Sequence, residues 1–512
     1  MNVISVFVQN VRRHPEKMAL IYNEREYTYR GLNQRINQFA NGLMKQGVRK
    51  GEKVALMMKN SDDFVISFYG AAKLGAVLVP INFRLVVSEV QYILQQSDAV
   101  TVICDDEFET LIEEATASIP GIRDVISVPA AKVTKHLSFK NIFHDSDMEP
   151  DVKVSSDDDF EILYTSGTTG RPKGALFDHQ RISYISQGVT GLLGLHANET
   201  HLHVAPLFHS AQLNLFLLQG LYVGATHVIL RDFEPQTVLK MIEKYRVTFF
   251  FGIPTMYSYL LQAPNADKYN LDSIKLCGYG AAPMAPEIVR QSMELFNTDQ
   301  FYNLCGLTEG GPSGIALFPE DHKKHIGKSG RLPMLFVECK VESEGVESAD
   351  GEVGELLLRG NPIMKEYYKK PDETAATIVD GWLHTGDLAV RDEEGYITLV
   401  DRSKDMIISG GENVYTVEVE NVLYGHPKIL EAGVIGTPDD KWGEVVTAVA
   451  VIKPGEGTLD LEELQTFCRE KMAGFKIPRK LQLVEELPRN ASGKLQKYKM
   501  REALKNTYNP HL

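Results

Sequence analysis

The chain has 512 residues, a formal net charge of −14 at pH 7 and 43% hydrophobic residues. A chain of this length and apolar content is expected to hold at least two domains with substantial cores. The negative charge argues against nucleic acid as the main partner, because such binding needs clustered positive charge to displace counterions. An anionic ligand would therefore be held by local groups.

The five cysteines are scattered, and none forms a Cys-x-x-Cys pair. They indicate neither a disulfide framework nor a zinc ribbon, and they fit a reducing cytoplasm. The N-terminus lacks the apolar core of a signal peptide, since its apolar residues repeat at helical spacing. No segment approaches the length of a membrane span, so only peripheral membrane contact stays open. The pattern leaves open whether the chain is a monomer or a homodimer.

Strand-like and helix-like patterns alternate along the first four hundred residues. In chain order they predict a hairpin over residues 18–22 and 26–29, a helix over 32–43, a strand over 54–58, a helix over 62–74, a strand over 77–79, a helix over 87–96 and a strand over 100–103. This alternation predicts an α/β fold of mainly parallel sheets covered by helices. The acidic stretch 145–159 has no periodicity and is predicted to be a solvated linker.

The pattern changes at Asp401-Arg-Ser-Lys-Asp405. Beyond it we predict strands over 432–435 and 447–452, a helix over 461–472 and a basic tail helix over 494–504. These elements suit a small α+β domain, so we divide the chain into residues 1–402 and 403–512. The charged junction is a hinge candidate, with a plain surface turn as the alternative.

The segment Tyr164-Thr-Ser-Gly-Thr-Thr-Gly-Arg-Pro-Lys-Gly174 combines glycines, hydroxyls and cations. Its glycines allow close approach of the backbone to a ligand, and donors and charge come from Thr165, Ser166, Thr168, Thr169 and Lys173. Such a segment is suited to binding phosphate. It is not a Walker loop, because the lysine follows a proline and precedes Gly174. A flexible polar turn is the alternative.

Six further segments accompany this phosphate segment. They are Pro206-Leu-Phe-His209, Gly278-Tyr-Gly-Ala-Ala-Pro283, Gly306-Leu-Thr-Glu309, Gly381-Trp-Leu-His-Thr-Gly-Asp387, Asp401-Arg-Ser-Lys404 and Pro488-Arg-Asn-Ala-Ser-Gly-Lys494. In this order they resemble the acyl-adenylate-forming superfamily of acyl-CoA synthetases, aryl-CoA ligases, luciferases and peptide-synthetase adenylation domains. The match runs nearly end to end.

The resemblance implies a large N-terminal domain, a small mobile C-terminal domain and a two-step reaction. A carboxylate attacks the α-phosphate of ATP, giving acyl-AMP and pyrophosphate, and a thiol such as that of CoA then displaces AMP. It implies phosphate contacts from Thr165, Ser166, Gly167, Thr168, Thr169, Lys173 and Thr308, further nucleotide contacts from Gly280, Ala281 and Ala282, a Mg²⁺ ligand in Glu309, ribose contacts from Asp387 supported by Arg402, and a transition-state cation in Lys494.

The resemblance also implies that the small domain rotates between the two steps about Lys404. One pose brings in Lys494, and the other presents the loop around Gly410 and Gly411 to the pantetheine of CoA. Without the resemblance, those two glycines could equally form a tight strand-to-helix turn.

Two positions depart from the family pattern. Cys305 stands where an aromatic residue usually stacks on adenine, and Tyr279 or Tyr302 could compensate. Thr416 stands where a proline is common, which is expected to loosen the start of the following helix without affecting the chemistry.

The acyl pocket is expected to be apolar, because the segment after His209 carries no carboxylate for a substrate ammonium. Its expected lining is Leu213, Phe251, Ile253, Tyr279, Gly280, Leu307 and Pro312, and His209 would gate the acyl tunnel or fill an ordinary core position.

Leu213, Leu215, Leu217 and Leu218 favour a medium- or long-chain fatty acid as the substrate. An aryl-CoA ligase, an enzyme that loads a carrier protein and a non-catalytic nucleotide sensor are the alternatives. The presence of Lys494 and Glu309 disfavours the last.

His201-Leu-His203 resembles a pair of metal ligands on one strand face. No third ligand is evident in the sequence, so a zinc site is not expected.

Overall fold

The computed structural model describes residues 2–133, 135–165, 171–439, 441–469, 471–489 and 495–508. Its α-helices are Val3–Arg13, Tyr29–Lys45, Asp62–Lys73, Val87–Ser97, Glu109–Thr116, His179–Leu193, Gln219–Val223, Pro235–Tyr245, Pro254–Leu261, Pro286–Leu295, His322–His325, Pro371–Thr377, Thr416–Tyr424, Leu461–Arg469 and Lys497–Tyr508, and Ala211–Leu218 is a π-helix. Short 3₁₀ turns are Asp106–Phe108, Phe139–Asn141, Ala266–Lys268, Thr308–Gly310 and Gly474–Lys476. None of the helices within these ranges has the length and apolar character needed to cross a membrane.

Two large sheets, parallel at their centres, dominate the first part of the chain. The eight-stranded sheet has the order Glu366–Tyr367, Lys173–Asp178, Asp159–Thr165, Val77–Pro80, Lys53–Met57, Ala99–Asp105, Asp124–Val128 and Leu137–Ser138. The nine-stranded sheet has the order Leu332–Pro333, Gly314–Leu317, Phe301–Gly306, Leu276–Gly280, Phe249–Gly252, Thr200–His203, Thr226–Ile229, Met18–Tyr22 and Arg25–Thr28. The antiparallel pairs lie toward the ends of both sheets, so the prediction of mainly parallel sheets is confirmed here.

Each large sheet is buried on both faces, because alternate side chains enter different cores. In the nine-stranded sheet Phe249 and Phe251 enter the core shared with the other sheet, whereas Phe250 enters an outer core. In the eight-stranded sheet Leu56 faces the shared core and Met57 an outer one. The shared core also contains apolar residues of the first three helices, of His179–Leu193 and of the π-helix.

Local signals explain where several helices begin. The hydroxyl of Ser61 accepts the backbone N–H of Phe64 at 3.0 Å, and the carboxylate of Asp178 accepts that of Arg181 at 2.8 Å. Both are N-caps that satisfy a free donor of the first helical turn.

Residues 337–402 depart from the predicted βαβα pattern. Their six-stranded sheet is antiparallel and consists of Val337–Ser343, Val346–Glu347, Val353–Gly360, Ile378–Val379, Trp382–Arg391 and Ile397–Arg402. The hairpin at Glu344-Gly345 shows the reason, since both residues have positive φ, as a tight two-residue turn requires. A turn this short joins antiparallel strands and leaves no length for a crossover helix.

The C-terminal sheet has five strands: Glu412–Val414, Ile407–Ser409, Gly443–Ile452, Ile429–Asp439 and Lys480–Leu483. Its apolar side chains form clusters of their own, which contain residues from position 407 onward. This confirms a small α+β unit at the C-terminus.

The acidic stretch 145–159 is more than the solvated linker that its sequence predicts. Asn37 and Asn41 on the second helix donate hydrogen bonds to backbone carbonyls of residues 146–148. Glu149 accepts a hydrogen bond from the buried ammonium of Lys73 at 2.6 Å. The missed signal is the matching set of buried amides on the helix, which only the fold brings opposite this stretch.

Candidate active site

Thr308 and Glu309 lie just beyond the carboxyl end of the strand Phe301–Gly306, in the 3₁₀ turn Thr308–Gly310. The hydroxyls of Thr308 and Ser210 are 3.0 Å apart, which ties this turn to the segment after His209. The backbone carbonyl of Glu309 accepts the N–H of Met364 at 2.9 Å. Ligands of open α/β sheets bind beyond the carboxyl ends of parallel strands, so the position suits a binding site.

The carboxylate of Glu309 is held by Tyr367, whose hydroxyl donates to Oε1 at 2.7 Å. Tyr367 is only 3% exposed, and burial together with the nearby carboxylate raises the pKa of its phenol. The ammonium of Lys173 lies 4.2 Å from the centre of the same ring. Sequence reasoning missed Tyr367, because it lies in a stretch without periodicity and its partner is 58 positions away.

The phosphate segment begins and ends on two antiparallel strands. Thr165 ends the strand Asp159–Thr165 and pairs in register with Lys173, which begins the strand Lys173–Asp178. Both residues are half-buried. The predicted phosphate ligands Ser166, Gly167, Thr168 and Thr169 lie outside the described residues.

The segment Gly280-Ala281-Ala282 follows the carboxyl end of the strand Leu276–Gly280. A Cβ at Gly280 would come within 2.2 Å of the carbonyl oxygen of Leu304, so only glycine fits there. Ala281 has φ of 68°, a left-handed conformation that costs an alanine free energy. Strained backbone of this kind is common where a chain turns around a ligand.

Asp387 and Arg402 face each other on neighbouring antiparallel strands. Arg402 Nε lies 2.8 Å from Asp387 Oδ1, and the two residues are in register. The pair is partly exposed, and Gly386 before it has a positive φ of 71°. Asp387 Oδ2 leaves the carboxylate a further acceptor atom for hydroxyl groups.

The two tyrosines considered for adenine are held by other partners. Tyr279 is 1% exposed, lies in the outer core and has its hydroxyl 3.0 Å from His322 Nε2. Tyr302 packs against Phe318, with ring centres 5.6 Å apart. Cys305 is half-buried in the same strand as Tyr302. Tyr279 therefore offers no free ring face in this structure.

His209 is half-buried, and its Nδ1 accepts a 3.4 Å hydrogen bond from the backbone of Ala211 at the start of the π-helix. Leu213, Leu215, Leu217 and Leu218 on that π-helix are at most 3% exposed and belong to the shared core.

Gly410 and Gly411 form a turn between the strands Ile407–Ser409 and Glu412–Val414, so the alternative of a strand-to-helix turn is wrong. Their φ values of 63° and 87° fit a two-residue hairpin turn. A Cβ on Gly410 would lie 2.6 Å from the Trp442 ring, whereas one on Gly411 would meet nothing within 4 Å. Lys494 lies outside the described residues.

The junction at 401–405 is a hydrogen-bonded turn, in which Arg402 O accepts the N–H of Asp405 at 2.8 Å. Lys404 is exposed as a whole within this turn. Its ammonium is nevertheless partly desolvated, and this lowers the pKa of Lys404. The expectation that Thr416 loosens its helix is wrong. Its N–H and hydroxyl both donate to the buried carboxylate of Asp401, at 2.6 and 2.9 Å.

The amino-acid sequence matches two family models, that of the AMP-binding enzyme over residues 7–368 and that of the AMP-binding enzyme C-terminal domain over residues 418–494. Feruloyl-CoA synthase from Amycolatopsis sp is 36% identical over 96% of this chain and 97% of the relative. Long-chain-fatty-acid–CoA ligase FadD13 from Mycobacterium tuberculosis is 34% identical over 93% of this chain and 92% of the relative. Anthranilate CoA ligase AuaEII, solved with anthranoyl-AMP, superposes with a TM-score of 0.91 at 31% identity, over 98% of this chain and 97% of that one.

Fold and relatives together define an acyl-adenylate-forming enzyme. The chain belongs to the AMP-binding enzyme family, and the relatives cited above are named CoA ligases and synthases. It is an AMP-forming acid–thiol ligase, which confirms the resemblance.

Proposed function

We propose that this ligase joins an apolar, ring-bearing carboxylic acid to CoA, with ATP and Mg²⁺, in the cytoplasm. In the first step a carboxylate oxygen attacks the α-phosphorus, the bond to the β-phosphate oxygen breaks and pyrophosphate leaves. In the second step the CoA sulfur attacks the acyl carbon, AMP leaves with the bonding electrons and the thiol proton passes to solvent. The five free cysteines support a reducing compartment.

The observation that carries the residue roles is that Tyr367 contacts both Glu309, through its hydroxyl, and Lys173, through its ring. Glu309 would hold Mg²⁺, which would neutralise phosphate charge when bound, and the ammonium of Lys173 would add a further positive charge for the phosphates. Thr165, Ser166, Gly167, Thr168, Thr169 and Thr308 complete the proposed phosphate contacts. Tyr367 fixes the position of the Glu309 carboxylate before ATP arrives.

The remaining roles concern the nucleoside and the transition state. Asp387, held by Arg402, accepts the ribose hydroxyls. Gly280, Ala281 and Ala282 contact the nucleotide beyond the carboxyl end of the strand Leu276–Gly280, where Ala281 has a left-handed conformation. Lys494 offsets charge at the α-phosphate, and Gly410 with Gly411 borders the pantetheine path.

We further propose a division into residues 1–402 and 403–512, with a hinge near Lys404. Separate apolar clusters on either side of the exposed turn support it. The hydrogen bonds between Asp401 and Thr416 span this boundary. A rotation about the turn would therefore have to break these bonds or move both residues together.

The ring-bearing substrate is supported by the packing of the π-helix. The fatty-acid preference rested on four leucines that, in the structure, are core residues. These leucines therefore no longer favour an aliphatic acid over a ring-bearing one.

The relatives named for feruloyl-CoA and anthranilate CoA chemistry also favour this choice. A medium- or long-chain fatty acid is the second candidate, favoured by the 34% identity to FadD13.

The test is AMP release from purified protein, with and without CoA, across acids from acetate to palmitate and across benzoate, cinnamate and ferulate. We expect the highest kcat/KM at an aromatic acid and AMP release that depends on CoA. A steady rise in kcat/KM with alkyl chain length would support the fatty-acid candidate instead. AMP release that responds to a carrier protein but not to CoA would contradict the proposed acceptor.

A further inference from the structure

Three buried histidines meet on the face of the nine-stranded sheet that the π-helix covers. His201 and His203 are two residues apart on the strand Thr200–His203, so their side chains point to the same face. His227, on the parallel neighbour Thr226–Ile229, stands in register with His201. All three are 0% exposed. The sequence indicated no third ligand, because His227 lies 24 positions from its partner His203.

The three imidazoles are close enough to share one ligand. One nitrogen from each ring lies within 4.8 Å of the others. Among the described residues, these three are the His, Cys, Asp or Glu side chains found close enough together to hold a metal ion. His203 Nε2 and His227 Nδ1 are 2.8 Å apart. At this separation the two nitrogens share a single hydrogen. A tetrahedral zinc ion with Zn–N bonds of about 2.0–2.1 Å holds its ligand nitrogens about 3.3 Å apart, so the two rings would move apart by about half an ångström to bind it.

The cluster packs directly against Gly220. A Cβ on Gly220 would lie 2.3 Å from His227 Cε1, 2.8 Å from His227 Nε2 and 3.0 Å from His201 Nδ1, so a glycine is needed for the two rings to lie there. Both nitrogens of His201 and Nε2 of His227 lack a hydrogen-bond partner of ordinary geometry. Buried polar atoms without partners are uncommon and call for an explanation such as an ion.

Each ring also has a neighbour that could accept its second N–H. Gln212 Nε2 lies 2.6 Å from His203 Nδ1, and Gln212 Oε1 has no partner. Turning the amide over by 180° exchanges these two atoms and offers Oε1 as the acceptor for an N–H at His203 Nδ1. The backbones of Phe216 and Gly220 are close enough to raise the pKa of His201 and His227 respectively, although burial lowers it more. Histidine ligands of metals donate their second N–H to acceptors of this kind, which directs the other lone pair at the metal.

We propose that His201, His203 and His227 bind one divalent transition-metal ion, with Zn²⁺ the best match. Neutral imidazole nitrogens are favoured zinc ligands, at about 2.0–2.1 Å. In the bound form His203 Nε2 and His227 Nδ1 both present lone pairs, while their other nitrogens carry the hydrogens. No proton is released, because all three rings enter as neutral ligands.

The site is structural rather than hydrolytic, because it is closed to solvent. The ion would fasten two central strands to the π-helix through Gln212, three residues after His209 and two after Ser210, the hydroxyl partner of Thr308. It is distinct from the proposed Mg²⁺ site at Glu309 in ligand type, since imidazole suits zinc and carboxylate suits magnesium.

The test uses untagged full-length protein, stripped with a strong chelator and then equilibrated with Zn²⁺. We expect about one zinc per chain by elemental analysis, a rise of several degrees in Tm on adding Zn²⁺, and X-ray absorption with three imidazole nitrogens around the metal. In His227→Gln the zinc content should fall at least tenfold.

His179→Gln is the matched control. His179 is likewise 0% exposed, and both its ring nitrogens lack partners, but it lies outside the cluster and packs against Phe160. This variant should keep its zinc. If His227→Gln does not fold, the stoichiometry and absorption spectrum of the unaltered protein decide. Zinc well below one per chain, fewer than three imidazole ligands, or full zinc in His227→Gln would overturn the proposal and leave a hydrogen-bonded histidine cluster.

Discussion

The sheets before residue 403 and the small C-terminal sheet hold their proposed site groups in different ways. Before residue 403, Glu309 is fixed by Tyr367, and Asp387 is paired with Arg402. In the small one, the described site groups are two glycines at a turn, one of them with open space around it. Groups that offset charge in the adenylation transition state are more effective when they are fixed before the reaction begins. A surface that guides the long pantetheine thiol needs mainly open space. The two regions should therefore fail in different half-reactions.

Lys494→Ala should have the largest effect. We expect acyl-AMP formation to fall by about 10³-fold, because a cation at the α-phosphate acts in the adenylation transition state. CoA attack on supplied acyl-AMP should be nearly unchanged, since in that step no bond to the α-phosphorus forms or breaks. Pyrophosphate exchange and thioester formation measured separately check both.

Lys499→Ala serves as the control for Lys494→Ala, because Lys499 is an exposed lysine of the following helix. Equal losses in the two half-reactions would contradict the division of labour between the regions.

Tyr367→Phe should have a smaller effect, confined to adenylation. Losing a hydrogen bond to a charged group costs about 1.5–3 kcal/mol, so we expect a loss of roughly 10- to 100-fold. Glu309→Gln should cost about 10²-fold, because it weakens the proposed metal ligand itself. The two changes should be non-additive, since both act on the same contact between Tyr367 and Glu309.

The control for Tyr367→Phe is Tyr368→Phe, whose hydroxyl bonds to Asp98 instead. It should leave the Mg²⁺ dependence of adenylation unchanged. Additive losses from Tyr367→Phe and Glu309→Gln would show that Tyr367 does not act through Glu309.

Gly411→Leu should slow thioester formation by roughly tenfold or less while sparing adenylation. The φ of 87° is unfavourable for leucine, yet a side chain there meets nothing within 4 Å, so folding should survive with a cost of about 1–2 kcal/mol. Gly455→Leu is matched, because Gly455 has φ of 88° and equally open space. Equal thioester rates in the two variants would remove Gly411 from the pantetheine path.

The sequence predicted the parts of this enzyme that depend on local pattern. The helix Asp62–Lys73 and the strand Lys53–Met57 lie within a residue of their predictions, because periodicity and an N-cap define them. Tyr367 beside Glu309 and His227 beside His203 could not be predicted from the sequence. Sheet register brings the two histidines together, whereas Tyr367 lies in the eight-stranded sheet and meets Glu309, which follows a strand of the nine-stranded sheet, through the packing of the fold. The roles of several site residues were inferred through the family resemblance. Without it, Asp387 would have been interpreted as an ordinary polar residue.

The smallest effect on turnover, and the clearest on stability, is expected at Glu161 beneath the phosphate segment. Its carboxyl is fully buried, accepts one hydrogen bond from Asn214 at 2.6 Å, and has no partner at Oε2. Burial raises the pKa of Glu161 to about 8. Between the ordinary value and this one, the folded protein holds a proton that the unfolded chain has released. The contribution of Glu161 to the free energy of unfolding should therefore be fully present below about pH 4.5. The free energy of unfolding should then fall as the pH rises to 8, by up to about 1.4 kcal/mol per pH unit.

Glu161→Gln keeps a neutral side chain of the same shape, so its profile of unfolding free energy against pH should be flatter between pH 5 and 8. The variant should be the more stable protein near pH 8 and about equal near pH 4.5. Denaturant titrations at several pH values measure this, with Glu114→Gln, an exposed position on the helix Glu109–Thr116, as the control. Parallel profiles for the Glu161 variant and the unaltered protein would mean that the buried carboxyl is charged and that an unseen partner compensates it. In that case the sheets before residue 403 would contain no uncompensated buried acid at Glu161.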